Sequence, residues 1–150
     1  MANSPVLIAG KWRDAKASGT FQAVNPRTKE QLAGDYPVST REDLDEALDA
    51  AVQAYRVMRT LPAETLASFL ETYAAKIEAN LSKLAEIADE ETALGVTPRF
   101  TNGEIPRTIN QLQQAAAAAR DGSWASPTID TGSGLRSMMR PLGVVCVFGP

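Results

Sequence analysis

The sequence predicts an α/β fold in which short β-hairpins come first, helices follow, and the first strand of a parallel sheet comes last. Three observations carry this reading. Residues 6–26 hold short β-prone runs broken by turn residues. From about Ser39 to Gly122 apolar residues recur at helical spacing. Val144 to Phe148 is an apolar run without alternation, the pattern of a strand covered on both faces.

Taken in order, Val6–Ile8 and Lys11–Arg13 flank the turn pair Ala9-Gly10 and read as a hairpin. "GTFQAVNP" reads as the next strand, closed by Asn25-Pro26. In "STREDLDEALDAAVQAYRVM", Leu44, Ala47, Leu48, Ala51, Val52, Tyr55 and Met58 form one stripe of a first helix. Ser39 and Glu42 stand at capping-box spacing before it. Pro62 opens a second helix, where its missing N–H costs nothing, with Leu66, Phe69, Leu70, Tyr73, Ile77 and Leu81 as the buried stripe.

A third, shorter helix carries Leu84, Ile87 and Ala88 and is expected to stop before Gly95. A fourth carries Ile109, Leu112, Ala116 and Ala119 and stops at Gly122, a residue suited to a left-handed cap. Pro106 requires that helix either to start near Ile105 or to kink there. The alanines 115–119 suit a face against which another element packs closely. Residues 124–141 are rich in Ser, Thr, Gly and Pro, with "LRSMMR" as an extended candidate.

Composition removes several function classes. A net charge of −3 with scattered Lys and Arg leaves no basic footprint for nucleic acid. No apolar run reaches the ~20 residues of a membrane span, and the start lacks the pattern of a signal peptide. One cysteine excludes an internal disulfide and suits a reducing cytoplasm. The absence of histidine removes His-based triads, and with one cysteine it removes the common zinc ligand sets. Cys146, between two valines, is expected to be buried and protonated, a core thiol and not a nucleophile. Trp12 and Trp124 are expected in core or interface. The non-enzymatic alternative is a self-sufficient helical interaction module with no large apolar surface.

The segments together resemble the start of an aldehyde dehydrogenase. "LIAGKWRDAKASGTFQAVNPRTKE" resembles the family's opening hairpin and its NP-x-T-x-E segment. "DLDEALDAAVQA" resembles its first helix, and "RPLGVVCVFGP" the strand leading to the first cofactor and oxyanion residues. The stretch "RTINQLQQAAAAARDGSW" followed by "TID" is most similar to the NADP-dependent 2-oxoglutarate semialdehyde (2,5-dioxopentanoate) dehydrogenases. Two residues depart from the pattern: Lys29 stands where many relatives have glycine, and Pro106 where the branch has a residue able to continue a helix.

The resemblance implies the amino-terminal part of an aldehyde dehydrogenase fold. Residues 1–123 would be the helical part of the cofactor-binding domain with its leading hairpins, 124–141 oligomerisation strands, and 142–150 the first strand of a Rossmann-like sheet. It implies oxidation of an aldehyde to an acid through a cysteine adduct, with hydride passing to NADP or NAD, in a cytoplasmic homo-oligomer. Phe148, Gly149 and Pro150 would touch the nicotinamide-ribose side of the cofactor. Arg107 and Gln114, with Asn110 and Gln113 beside them, would lie along the substrate channel, where an arginine fork suits a distal carboxylate. The oxyanion asparagine, the catalytic cysteine and the general-base glutamate would all follow Pro150, so these 150 residues alone are expected to be inactive.

Overall fold

A computed structural model describes residues Ser4–Gly149. The elements are β1 (Val6–Ile8), β2 (Lys11–Arg13), β3 (Ala17–Phe21), β4 (Tyr36–Ser39), α1 (Arg41–Met58), α2 (Ala63–Ala79), α3 (Leu81–Thr92), α4 (Ile105–Asp121), β5 (Thr128–Asp130) and β6 (Leu135–Ser137). The strands form three separate antiparallel pairs, β1-β2, β3-β4 and β5-β6.

The first hairpin forms where the turn chemistry placed it, with Val6 opposite Arg13 and Ile8 opposite Lys11. Ala9 and Gly10 both take positive φ, 51° and 77°, the backbone of a two-residue turn matched to strand twist. β3 pairs with β4 through a register shift between Ala17 and Gly19, and Phe21 stacks on Tyr36 at 5.5 Å. The intervening turn is held by Asn25, whose Oδ1 accepts from the Arg27 and Thr28 N–H groups. Lys29 itself adopts φ 65°, so the left-handed turn that glycine would make freely is made here by lysine.

The capping box is not formed. Thr40, not Ser39, precedes α1, no side chain caps the helix, and Thr40 Oγ1 is buried without a partner. The helix start is instead fixed by Asp43, 1% exposed, which accepts from Arg13 Nη2 at 2.9 Å and from the Lys16 N–H at 2.7 Å. These bonds tie the leading hairpin onto α1.

α2 packs chiefly against α4, and the fully buried residues on the two helices are small: Ala67 and Ala74 on α2, Ala116 on α4. α3 ends at Ala93 in the left-handed conformation, two residues before Gly95. Residues Val96–Glu104 then form a loosely wound helical segment, extended at Thr97 and with a cis Thr97–Pro98 bond, which periodicity does not foreshadow. It delivers Phe100 to a core with Ala85 and Ile105, flanked by Ile77, Leu81, Ala88, Val96 and Ile109. α4 starts at Ile105, so Pro106 lies in the first turn and no kink is needed. Gly122, at φ 69°, ends it.

The last expected strand is not formed among the described residues. Residues 142–148 join no sheet, and Leu142, Val147 and Phe148 are 96, 88 and 92% exposed. A doubly covered strand needs neighbours on both edges and both faces; here no described strand pairs with either edge, and contact is limited to one side, where Tyr55 Oη donates to the Pro141 carbonyl at 3.4 Å and its ring flanks Gly143. Cys146 is accordingly exposed, not buried. Trp12 and Trp124 are also largely exposed, and the outer parts of the helix stripes, Leu44, Val52, Phe69 and Tyr73 among them, remain in contact with solvent. No described helix is long and apolar enough to cross a membrane.

Candidate functional site

α4 has two chemically different faces. Ile105, Ile109, Leu112 and Ala116 recur at three- and four-residue spacing and turn inward. By the same spacing Arg107, Asn110 and Gln114 share the opposite face, and all three are exposed. Gln113 is exposed too, but a third of a turn away from that row.

Arg107 is loosely held. Its Nη1 lies 3.8 Å from Glu104 Oε2, while Glu104 Oε1 already receives Arg99 at 2.9 Å. An exposed ion pair of that length contributes little, so the guanidinium is free to meet another anion. Arg120, near the other end of the helix, is in the opposite condition. Its Nε and Nη2 donate to Glu64 at 2.7 and 2.8 Å, and its Nη1 and Nη2 to Glu71 at 2.6 and 2.9 Å. These bonds hold the Glu64 carboxyl down at about 2, with Ser68 Oγ adding a further donor, and push the Arg120 guanidinium still higher. Sequence reasoning missed this cluster, because its partners are 49 and 56 positions from Arg120.

The proposed cofactor residues show a different geometry. Phe148 projects into solvent, and a Cβ built on Gly149 would meet nothing within 4 Å. Pro150 lies outside the described residues. Among the described residues Phe148 and Gly149 belong to no helix or sheet. One groove of about 610 Å³ is lined by Tyr73, Ile77, Lys83, Leu84 and Ile105, and another of about 590 Å³ by Met58, Leu66, Trp124, Met138 and Pro141. Neither is lined by any of the five expected site residues. Among the described residues no cluster of His, Cys, Asp and Glu could hold a metal ion.

Residues 12–150 match the aldehyde dehydrogenase family. The chain belongs to that family. Among aldehyde dehydrogenases of known activity it is 33% identical over 153 residues to alpha-ketoglutaric semialdehyde dehydrogenase 2 of Azospirillum brasilense, covering 95% of this chain and 29% of that protein. It is 30% identical to malonate-semialdehyde dehydrogenase 1 of Geobacillus kaustophilus, again over 95% of this chain and 29% of the relative. The fold matches that of lactaldehyde dehydrogenase from Escherichia coli, with a TM-score of 0.72, 25% identity, and coverage of 79% of this chain and 24% of that one. It also matches an NAD-dependent benzaldehyde dehydrogenase from Corynebacterium glutamicum, with a TM-score of 0.75 at 19% identity, over 87% of this chain and 27% of that one. A betaine aldehyde dehydrogenase from Staphylococcus aureus, solved with NAD+, matches at a TM-score of 0.73 and 20% identity, covering 87% and 26%.

The chain therefore spans under a third of the length of these relatives and has the mixed α/β architecture of the amino-terminal portion of the aldehyde dehydrogenase fold. The self-sufficient helical module fares badly against the exposed apolar side chains of residues 142–148, which such a module would not carry.

Proposed function

We propose that this chain provides the amino-terminal part of an NAD(P)+-dependent enzyme that oxidises a carboxylate-bearing aldehyde, 2-oxoglutarate semialdehyde, to the acid. The observation that carries the substrate reading is the loosely held Arg107 on the outward face of α4, in line with Gln114. A guanidinium without a committed partner recognises a carboxylate through two parallel N–H bonds, and an amide about two turns along the same face adds an orienting donor. The names of the two curated relatives, both semialdehyde dehydrogenases, support the same reading.

In this reading the residues here bind and orient. Arg107 and Gln114 hold the far end of the substrate, and residues 148–150 form one wall beside the nicotinamide. NADP+ or NAD+, when bound, supplies the hydride acceptor. Residues 124–141 contribute strands to a homo-oligomer, with the β5-β6 hairpin as the surface offered. The nucleophile is not Cys146: a thiol that serves catalysis needs a base or a cation beside it, and the sequence around it is valine, valine and phenylalanine.

The test is Arg107→Ala in the complete enzyme, with a carboxylate-bearing semialdehyde and an uncharged aldehyde compared side by side. Loss of one charge-assisted pair, roughly 1.5–3 kcal/mol, should lower kcat/KM for the charged substrate about ten- to a hundredfold. The uncharged aldehyde should be spared. Equal losses for both would make Arg107 structural and remove the substrate reading.

A further inference from the structure

The interface between α2 and α4 poses a question of register. Its fully buried residues are alanines, Ala67 and Ala74 facing Ala116's helix. Side chains with a single methyl allow close approach, but they make shallow ridges and grooves, and helix register is specified by the interlocking of deeper ones. Larger side chains interlock only toward the start of α4, where Ile105 and Ile109 gather with Ile77, and beyond them the small-residue faces specify register weakly.

Arg120 sits where that freedom would be removed. It lies about one turn beyond Ala116 on the same face of α4, and Ala67 lies between Glu64 and Glu71 on α2. Glu64 and Glu71 leave α2 about two turns apart, roughly 10 Å along its axis, and their carboxylates converge on one guanidinium. One guanidinium reaches both through four hydrogen bonds of 2.6–2.9 Å. A single ion pair tolerates sliding, because a long side chain can follow its partner. A planar fork held simultaneously by carboxylates above and below cannot follow both.

We infer that Arg120 is a positioning residue: its double fork to Glu64 and Glu71 sets the axial register of α4 on α2, and through it the placement of the outward row containing Arg107 and Gln114. The register stands on the geometry alone. Its consequence for substrate rests on the reading of Arg107 given above. Lysine cannot replace the arginine, since an ammonium offers a point charge without the fork.

The experiment reads register directly. Spin labels are placed through cysteines at the exposed positions Thr72 on α2 and Gln113 on α4, in the complete enzyme with every native cysteine, Cys146 among them, replaced by serine, and the label-to-label distance distribution is measured by pulsed electron resonance. The parent should give one narrow distribution. Arg120→Gln should broaden or displace it by up to about one helical turn, ~5.4 Å, and Arg120→Lys should also broaden it. Circular dichroism checks that helix content is kept. Should Arg120→Gln fail to fold, Glu71→Gln, which removes one carboxylate and leaves the Glu64 fork, should broaden the distribution in a folded chain. A narrow, unmoved distribution in the folded glutamine variant overturns the inference, even if its Tm falls. Because no substrate enters the measurement, this result is independent of whether Arg107 binds a carboxylate.

Discussion

Replacing Asp43 by alanine tests the joint on which the leading hairpin depends. The carboxylate is 1% exposed and accepts from two elements at once, the Arg13 guanidinium at 2.9 Å and the Lys16 N–H at 2.7 Å. In Asp43→Ala the Lys16 N–H loses a charge-assisted bond, a loss of roughly 1.5–3 kcal/mol. The Arg13 side of the joint is weaker. Arg13 is partly exposed and keeps Glu46 at 2.6 Å, so its share falls to the ~0–1 kcal/mol of a surface pair. Together the loss is about 2–4 kcal/mol. At ~2–4 °C per kcal/mol for a chain of this length, Tm should fall by roughly 4–16 °C. Asp43→Asn keeps an acceptor for the Lys16 N–H without the charge and should lose about half as much. Hydrogen exchange adds a local readout. The Thr40 N–H donates to the Lys16 carbonyl, so the amides of Lys16 and Thr40 should lose protection together. An Asp43→Ala chain with parental Tm and unchanged protection at both amides would refute the reasoning.

Three further outcomes are expected. The Glu64 carboxyl is held at about 2, below its ordinary 4.5, by Arg120 and then Ser68, so the stability that it contributes is complete above about pH 4.5 and is lost as the pH falls toward 2. Acid unfolding of Glu64→Gln should therefore be shallower than the parent's over that window, and parallel curves would show that the clasp adds nothing. Gly149→Val meets no neighbour within 4 Å and no positive φ, so it should leave Tm unchanged while raising KM for NAD(P)+ in the complete enzyme; an unchanged KM removes Gly149 from the cofactor wall. The isolated 150-residue chain should reduce no NAD(P)+ with any aldehyde, and Cys146→Ala in the complete enzyme should keep near-parental kcat. Turnover by the isolated chain, or an inactive alanine enzyme, would make Cys146 the nucleophile.

The features legible in the chain lie within a few residues of each signal. The Ala9-Gly10 pair marked the first hairpin through its glycine, which takes positive φ freely, while Ala9 is carried into the same region by the pairing of the flanking strands. The 3.6-residue spacing and the Gly122 stop delimited α4, and Pro106 marked its first turn. The order of these segments sufficed to place the chain in its family. The capping box was misread because Ser39 and Thr40 carry the same hydroxyl, and only the path of the hairpin decides which residue starts the helix and where Asp43 turns. Tertiary structure alone decided the rest. The Asp43 joint and the Arg120 clasp bring together residues distant in sequence, for which periodicity holds no signal. The Val144 to Phe148 run has every local property of a buried strand and is not one here, because a strand is stabilised by the neighbours that pair with it and cover it. Local propensity names the element that a segment can become, and packing partners decide whether it does.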